Sequence, residues 1–142
     1  MATQNGINYA KGVNPTSDNV VPAGTIGGRE RVHTENFTFA GEAAGEVIRL
    51  GRKMRKGAII TGIEVQNAAL GAGVTYRIGD SNDDDRYKTD IAAATAAVNT
   101  ALNIAGLHYV VGTNSGDDII QLLTAGGAAT GLVKVTIRYT ED

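Results

Sequence analysis

The chain has no cysteine and no tryptophan among its 142 residues, and only two phenylalanines, two prolines and two histidines. Without cysteine there is neither a disulfide framework nor a thiolate metal site, and synthesis in the cytoplasm fits. No stretch approaches about 18 apolar residues, and no basic region followed by an apolar run opens the chain. Neither a membrane span nor a signal peptide is therefore expected. Net charge is −2 and the sequence pI is about 5.6, a balance that argues against general nucleic-acid affinity. The motifs of catalysis are missing too: there is no H-E-x-x-H, no G-x-S-x-G, no Walker sequence, and no G-x-G-x-x-G between a strand and a helix. The only histidines are His33 and His108, and the only serines are Ser17, Ser81 and Ser115. A lone histidine on a strand is more often a rim residue than a general base. A non-enzymatic chain without cofactor or metal is expected.

What the sequence does have is glycine, 19 of them, and short runs of alternating polarity. At this length one domain is expected, burying roughly 68–70% of its unfolded surface. In residues 132–140, Val133, Val135, Ile137 and Tyr139 face one way while Lys134, Thr136, Arg138 and Thr140 face the other. That is the period of a half-buried strand. In residues 58–66, Ile59, Thr61, Ile63 and Val65 line one face by the same rule. Strands are also predicted over 30–39, 46–52, 74–79, 85–89, 107–112 and 117–123. Turn signals such as "AGEAAG" (40–45), "LGAG" (70–73) and "AGGAATG" (125–131) separate them. Eight short strands with glycine-rich turns indicate an all-β sandwich or barrel rather than βαβ units. "IAAATAAVNTALNIAG" (91–106) is the exception. Its alanines and the spacing of Ile91, Val98, Leu102 and Ala105 predict one or two helical turns.

Two segments concentrate charge. "GDSNDDDRY" (79–87) places Asp80-x-Asn82-x-Asp84 at the spacing that opens a calcium loop. A calcium loop of that kind needs glycine at its sixth position and glutamate at its twelfth. Counted from Asp80 these are Asp85 and Ile91, so both diagnostic positions fail, which leaves a solvated loop and a looser oxygen-ligand site for a hard cation as the two readings. The run follows a strand and leads into another, which makes it a loop at the rim of a sheet. "RLGRKMRKG" (49–57) holds Arg49, Arg52, Lys53, Arg55 and Lys56, five of the 13 basic residues. No aromatic residue interleaves with them, so no base-stacking platform is offered. The segment is either a solvated connection or an electrostatic contact to an acidic surface, such as the Asp80–Asp85 loop of a neighbouring copy.

Residues 1–28 contain both prolines, Pro15 and Pro22, and only Lys11 and Asp18 as charges. They show no helical or strand period. Ile7, Tyr9, Val13, Val20 and Val21 are nonetheless spaced as contact residues, which leaves a frayed terminus and a docking arm as the two readings. Two units follow: an extended arm over 1–28 and a β-sandwich over 29–142.

Residues 51–87, "GRKMRKGAIITGIEVQNAALGAGVTYRIGDSNDDDRY", resemble the central block of small tailed-phage capsid decoration (cement) proteins. The matching positions are Gly57, Ile60, Leu70, Gly71, Gly79, Asp80, Asp85, Arg86 and Tyr87. "GGAATGLVKVTIRY" (126–139) is similar to that family's last hairpin. The resemblance implies a jelly-roll-like antiparallel sandwich of about eight strands on the outer capsid surface. Its partners would be the major capsid protein and itself, as a trimer in preference to a dimer, with no nucleic acid and no membrane. It also implies that Asp80, Asp85, Arg86 and Tyr87 form a structural corner, with Arg86 pairing a carboxylate and Tyr87 packing inward. The alternative is a ligand- or carbohydrate-binding sandwich of a phage tail or fibre. Sugar binders usually display aromatic platforms, and this chain has few aromatics to display.

Overall fold

The computed structural model describes residues 29–51, 53–112 and 118–141. Eight strands form in chain order: β1 (Arg29–Glu42), β2 (Val47–Arg49), β3 (Ile59–Asn67), β4 (Thr75–Gly79), β5 (Lys88–Ala92), β6 (Ala97–Asn99), β7 (Gln121–Ala125) and β8 (Ala129–Glu141). They make two antiparallel four-stranded sheets, ordered β1-β8-β3-β6 and β2-β7-β4-β5. Successive connections cross between the sheets or along their ends. This is the strand order expected of a jelly roll, two Greek keys folded face to face.

The alternation in β8 does what its sequence dictates. Val133, Val135, Ile137 and Tyr139 are buried, while Lys134 and Arg138 are exposed. Opposite them in the second sheet, Tyr76, Ile78 and Leu122 are also buried, so the core lies between the two inner faces. In β3 the expected inward set needs correction. A bulge between Ile60 and Gly62 advances the phase, and Ile60 rather than Thr61 joins Ile63 and Val65 in the core. Thr61 instead donates its hydroxyl to Glu30 Oε1 at 3.0 Å.

The Ala-rich helix is not formed. Residues 91–106 run from the end of β5 through β6 into a tight turn, and tertiary pairing decides the matter. The Ala93 N–H goes to Val74 O at 2.9 Å, and its carbonyl accepts from Leu70 N at 2.8 Å. A helix would need those same groups for its own ladder, and alanine's modest propensity cannot outweigh the loss. Residues 107–112 also fall short of a strand and contribute the single bridge Ile59↔Val110.

Candidate functional site

The acidic run leaves β4 at Gly79 and reverses at once. Asp80 N–H donates to Asp83 O at 2.9 Å, and the Asp80 carboxylate accepts from the backbone N–H groups of Asn82 and Asp83, each at 3.0 Å. This aspartate holds its own turn, the reason the residue type favours such positions. Gly79 is required beneath it, because a Cβ there would lie 2.0 Å from Asp83 O. Arg86 then folds back, with Nε donating to Asp80 Oδ2, Nη2 to Oδ1 at 3.4 Å, and Nη1 3.8 Å from Asp83. Its guanidinium carbon sits 4.2 Å from the Tyr109 ring centroid, a cation–π contact. Tyr87 returns the chain to the sheet through its N–H to Ile78 O at 2.9 Å. Its buried ring meets Tyr109 edge-on at 6.1 Å. Burial, reinforced by the Asp80 charge, holds the Tyr87 hydroxyl well above the ordinary tyrosine range.

The structure thus brings Asp80, Arg86 and Tyr87 into one cluster. Asp85 lies beside it and works mainly through its backbone carbonyl, which accepts from Asn103 Nδ2 at 2.7 Å. Its carboxylate is 3.4 Å from Thr89 Oγ1.

A second buried carboxylate completes the corner. Asp118 Oδ1 accepts from Ser81 Oγ at 2.8 Å and Ile119 N at 2.7 Å, and Oδ2 from Asn82 Nδ2 at 3.3 Å. Its backbone pairs with Met54 in both directions, at 2.6 and 3.0 Å. The acidic loop is thereby tied to the basic connection. Asp118 gave no sequence signal, since an Asp-Asp pair ahead of an apolar run carries no motif.

Of the basic residues, Arg52 lies outside the described residues. Lys53, Arg55 and Lys56 are exposed around the buried Met54, and Arg55 Nε is 3.6 Å from Glu141. Arg49 and Lys53 line a cleft of about 260 Å³ with Ser81, Asp118, Ile119 and Gln121. Basic and acidic segments therefore meet within one molecule. The arm residues Ile7, Tyr9, Val13, Val20 and Val21 also lie outside the described residues.

Carboxylate oxygens of Asp83, Asp84 and Asp85 come within 4.8 Å of one another, close enough to share a cation. Two already face the protein's own cations. Arg77 bonds Asp84 at 3.2 Å while also holding Asp90 at 2.8 and 3.1 Å, and Arg86 lies near Asp83. Each arginine is shared with a second carboxylate, Asp90 for Arg77 and Asp80 for Arg86, and an acidic cluster by itself makes no case for an ion. Neither histidine is set up as a base for one of the described serines. His33 Nε2 lies 3.6 Å from Glu35 and His108 stands exposed in a turn, while the Ser81 hydroxyl is given to Asp118.

Lys88 is a further residue that the sequence did not single out. Only 1% of it is exposed. Its ammonium donates to Asn99 Oδ1 at 2.8 Å and to the Ala101 carbonyl, joining the edge strands of the two sheets. Burial pulls its pKa down to about 8.

No family model matches the chain, and no curated protein matches it in sequence. The fold does recur among solved structures. A chain of the cyanophage Pam1 capsid asymmetric unit superposes with a TM-score of 0.66 at 20% identity, over 87% of this chain and 92% of that one. A chain of the Ralstonia phage GP4 capsid gives 0.65 at 16% identity, over 89% and 93%. One from the acid-stable capsid of Helicobacter pylori bacteriophage KHP30 gives 0.58 at 11% identity, over 79% and 87%. At these identities the likeness is one of fold.

Proposed function

We propose that this protein is a structural component of a tailed-phage capsid that decorates the outer surface and cements junctions between capsomers. The observation that carries the reading is the two-sided coverage. The superpositions cover 92% and 93% of the two matched capsid chains and 87% and 89% of this one. The counterparts are therefore small capsid chains of similar length rather than one domain of something larger. A decorating role asks for a rigid body and adhesive surface, not for a reaction centre. The charged corner fits that demand, because its hydrogen bonds and ion pairs are spent inside the chain on fixing the loop.

Aromatic placement supports this role over sugar binding. Tyr76, Tyr87, Tyr139 and Phe39 are buried, and Tyr109 lies under Arg86. Among the described residues this leaves no broad aromatic platform.

In this reading residues 1–28 form an arm that reaches a neighbouring capsomer or subunit. Extended chain spans up to about 3.3–3.6 Å per residue, so an arm adds contact area that a compact sandwich cannot. Stable interfaces bury roughly 1,200–2,000 Å² in total. Ile7, Tyr9, Val13, Val20 and Val21 would fill shallow pockets, and the backbone could add to a sheet edge.

Co-sedimentation with undecorated phage capsids tests both parts. Full-length protein is expected to pellet with capsids to saturation. Protein lacking residues 1–28 should stay folded and bind far more weakly. Failure of the full-length protein to pellet overturns the capsid reading, and equal binding by the truncated protein overturns the arm.

A further inference from the structure

A fully buried lysine is uncommon, and the one in this chain touches a carboxamide. Lys88 on β5 donates through Nζ to Asn99 Oδ1 at 2.8 Å and to the Ala101 carbonyl. Asn99 ends β6 and is half-buried; its register partner on β3 is the core residue Val65. The two side chains stand eleven positions apart in the sequence, on the edge strands of different sheets.

A lysine amine is a nucleophile once it has lost its proton, and desolvation favours the uncharged form. The groups packed on Lys88 leave that advantage intact. Ile78 opposite it on β4, Asn99 on β6 and Ala101 beyond carry no charge, and burial alone lowers its proton affinity. The electrophile is within reach. The Asn99 carbonyl carbon lies one bond, about 1.23 Å, behind the oxygen that Nζ already touches, which puts amine and carbon within about 4 Å. A small rotation of the carboxamide brings its face to the amine. Groups held at about 3–3.5 Å react as though at effective molarities of about 10⁵–10⁸ M.

We propose that Lys88 and Asn99 are the site of an intramolecular isopeptide bond that staples the edge strands of the two sheets. The ammonium first gives its proton to solvent. Nζ then attacks Cγ, the Nζ–Cγ bond forms and the Cγ–Nδ2 bond breaks. Nδ2 leaves as ammonia, carrying the proton that the amine gives up on attack. One amine and one carboxamide become one secondary amide and one ammonia, and nothing is oxidised or reduced. Among the described residues no carboxylate is bonded to either side chain, so water at the half-buried Asn99 carries the proton. Conversion is accordingly slow, and freshly made protein keeps the free amine. The product ties β6, three residues long and paired only with β3, to the second sheet. Such a cross-link restricts the unfolded chain as a disulfide does, in a chain that has no cysteine. It does not depend on the capsid role.

Intact-mass spectrometry is the test, on full-length protein held at about pH 9, where the buried amine is largely uncharged, and followed over days. A growing species lighter by about 17 Da, the ammonia expelled, is expected. Trypsin should then leave residues 87–134 as one peptide, because the modified Lys88 is no longer cut and no other Lys or Arg precedes Lys134. Lys88→Met and Asn99→Ser should each hold their mass. So should wild type in guanidinium chloride, where the fold no longer holds the pair together. The wild-type readouts stand whether or not a variant folds. An unchanged wild-type mass overturns the proposal. The same loss in Lys88→Met or in denaturant also overturns it, since the reaction then lies at another residue. So does a gain of about 1 Da at Asn99 with no lighter species, which means that water attacks in place of lysine.

Discussion

Arg86 turns back on Asp80 from six residues away, and 10% of the arginine side chain and 1% of the aspartate side chain remain exposed. Charges so far out of water depend on each other. Removing one partner leaves an uncompensated buried charge and costs about 3–5 kcal/mol.

Arg86→Ala should therefore lower the melting temperature by roughly 10 °C, at about 2–4 °C per kcal/mol for a domain of this size. Asp80→Asn combined with Arg86→Met should lose much less, because the introduced amide oxygen can still accept from the two turn N–H groups and no orphan charge remains. Calorimetry on the three proteins checks this. An unchanged melting temperature in Arg86→Ala would show that water reaches the pair.

Gly106 lies against the same corner from the other side. A Cβ there would come within 2.7 Å of Arg86 O and 2.8 Å of Tyr87 Cα, backbone atoms that cannot swing away. Gly106→Ala is expected to destabilise by about 1–3 kcal/mol, the range for overpacking, and to change the near-ultraviolet signal of Tyr87 and Tyr109. Ala105→Ser, one residue earlier and exposed, should do neither. Equal denaturation midpoints for the two variants would count against a tight fit.

Lys88 gives stability an unusual dependence on alkaline pH. Its folded pKa, about 8, lies below its ordinary 10.5. Between those values the unfolded chain binds more protons, so stability should rise with pH from about 8 to 10.5, by up to about 3 kcal/mol. Tyr76, pushed up to about 12, and Tyr87, also raised, act in the opposite sense. Above about pH 10 they ionise only in the unfolded chain, and stability should fall. A maximum between about pH 9 and 10 is expected from urea midpoints. Lys88→Met should flatten the rising limb and keep the falling one; a rising limb that survives the substitution would assign it to another group.

Much of the sandwich was legible because period-two alternation survives wherever a strand has one wet face, as in β8. It misled where geometry broke the period. The bulge at Ile60–Gly62 moved Thr61 out of the core, and its local cue is the lone glycine at position 62 inside the strand. The Ala-rich segment was misread for a related reason: helix propensity is local, whereas the groups that claim Ala93 sit at Leu70 and Val74. The corner shows the same limit. That Arg86 would meet a carboxylate was implied only by the resemblance at "DDDRY", and its choice of Asp80 depends on the turn closed by Asp83. Asp118 and Lys88 were invisible, since burial of a charged side chain is decided by neighbours distant in sequence.

The pairing of β1 with β8 also sets a timetable. Their register runs from Arg29↔Glu141 to Glu42↔Ala129, so partners lie about a hundred residues apart, and β8 also stands between β1 and β3. At roughly 5–20 residues per second on a ribosome, β1 waits on the order of 5–20 s for its neighbour. Until β8 emerges, neither β1 nor the β8-facing edge of β3 has anything to pair with, while β4 and β5 can already join locally. The first sheet closes last. During that interval the nascent chain exposes an unpaired strand edge, the period in which a chaperone would matter most to its yield.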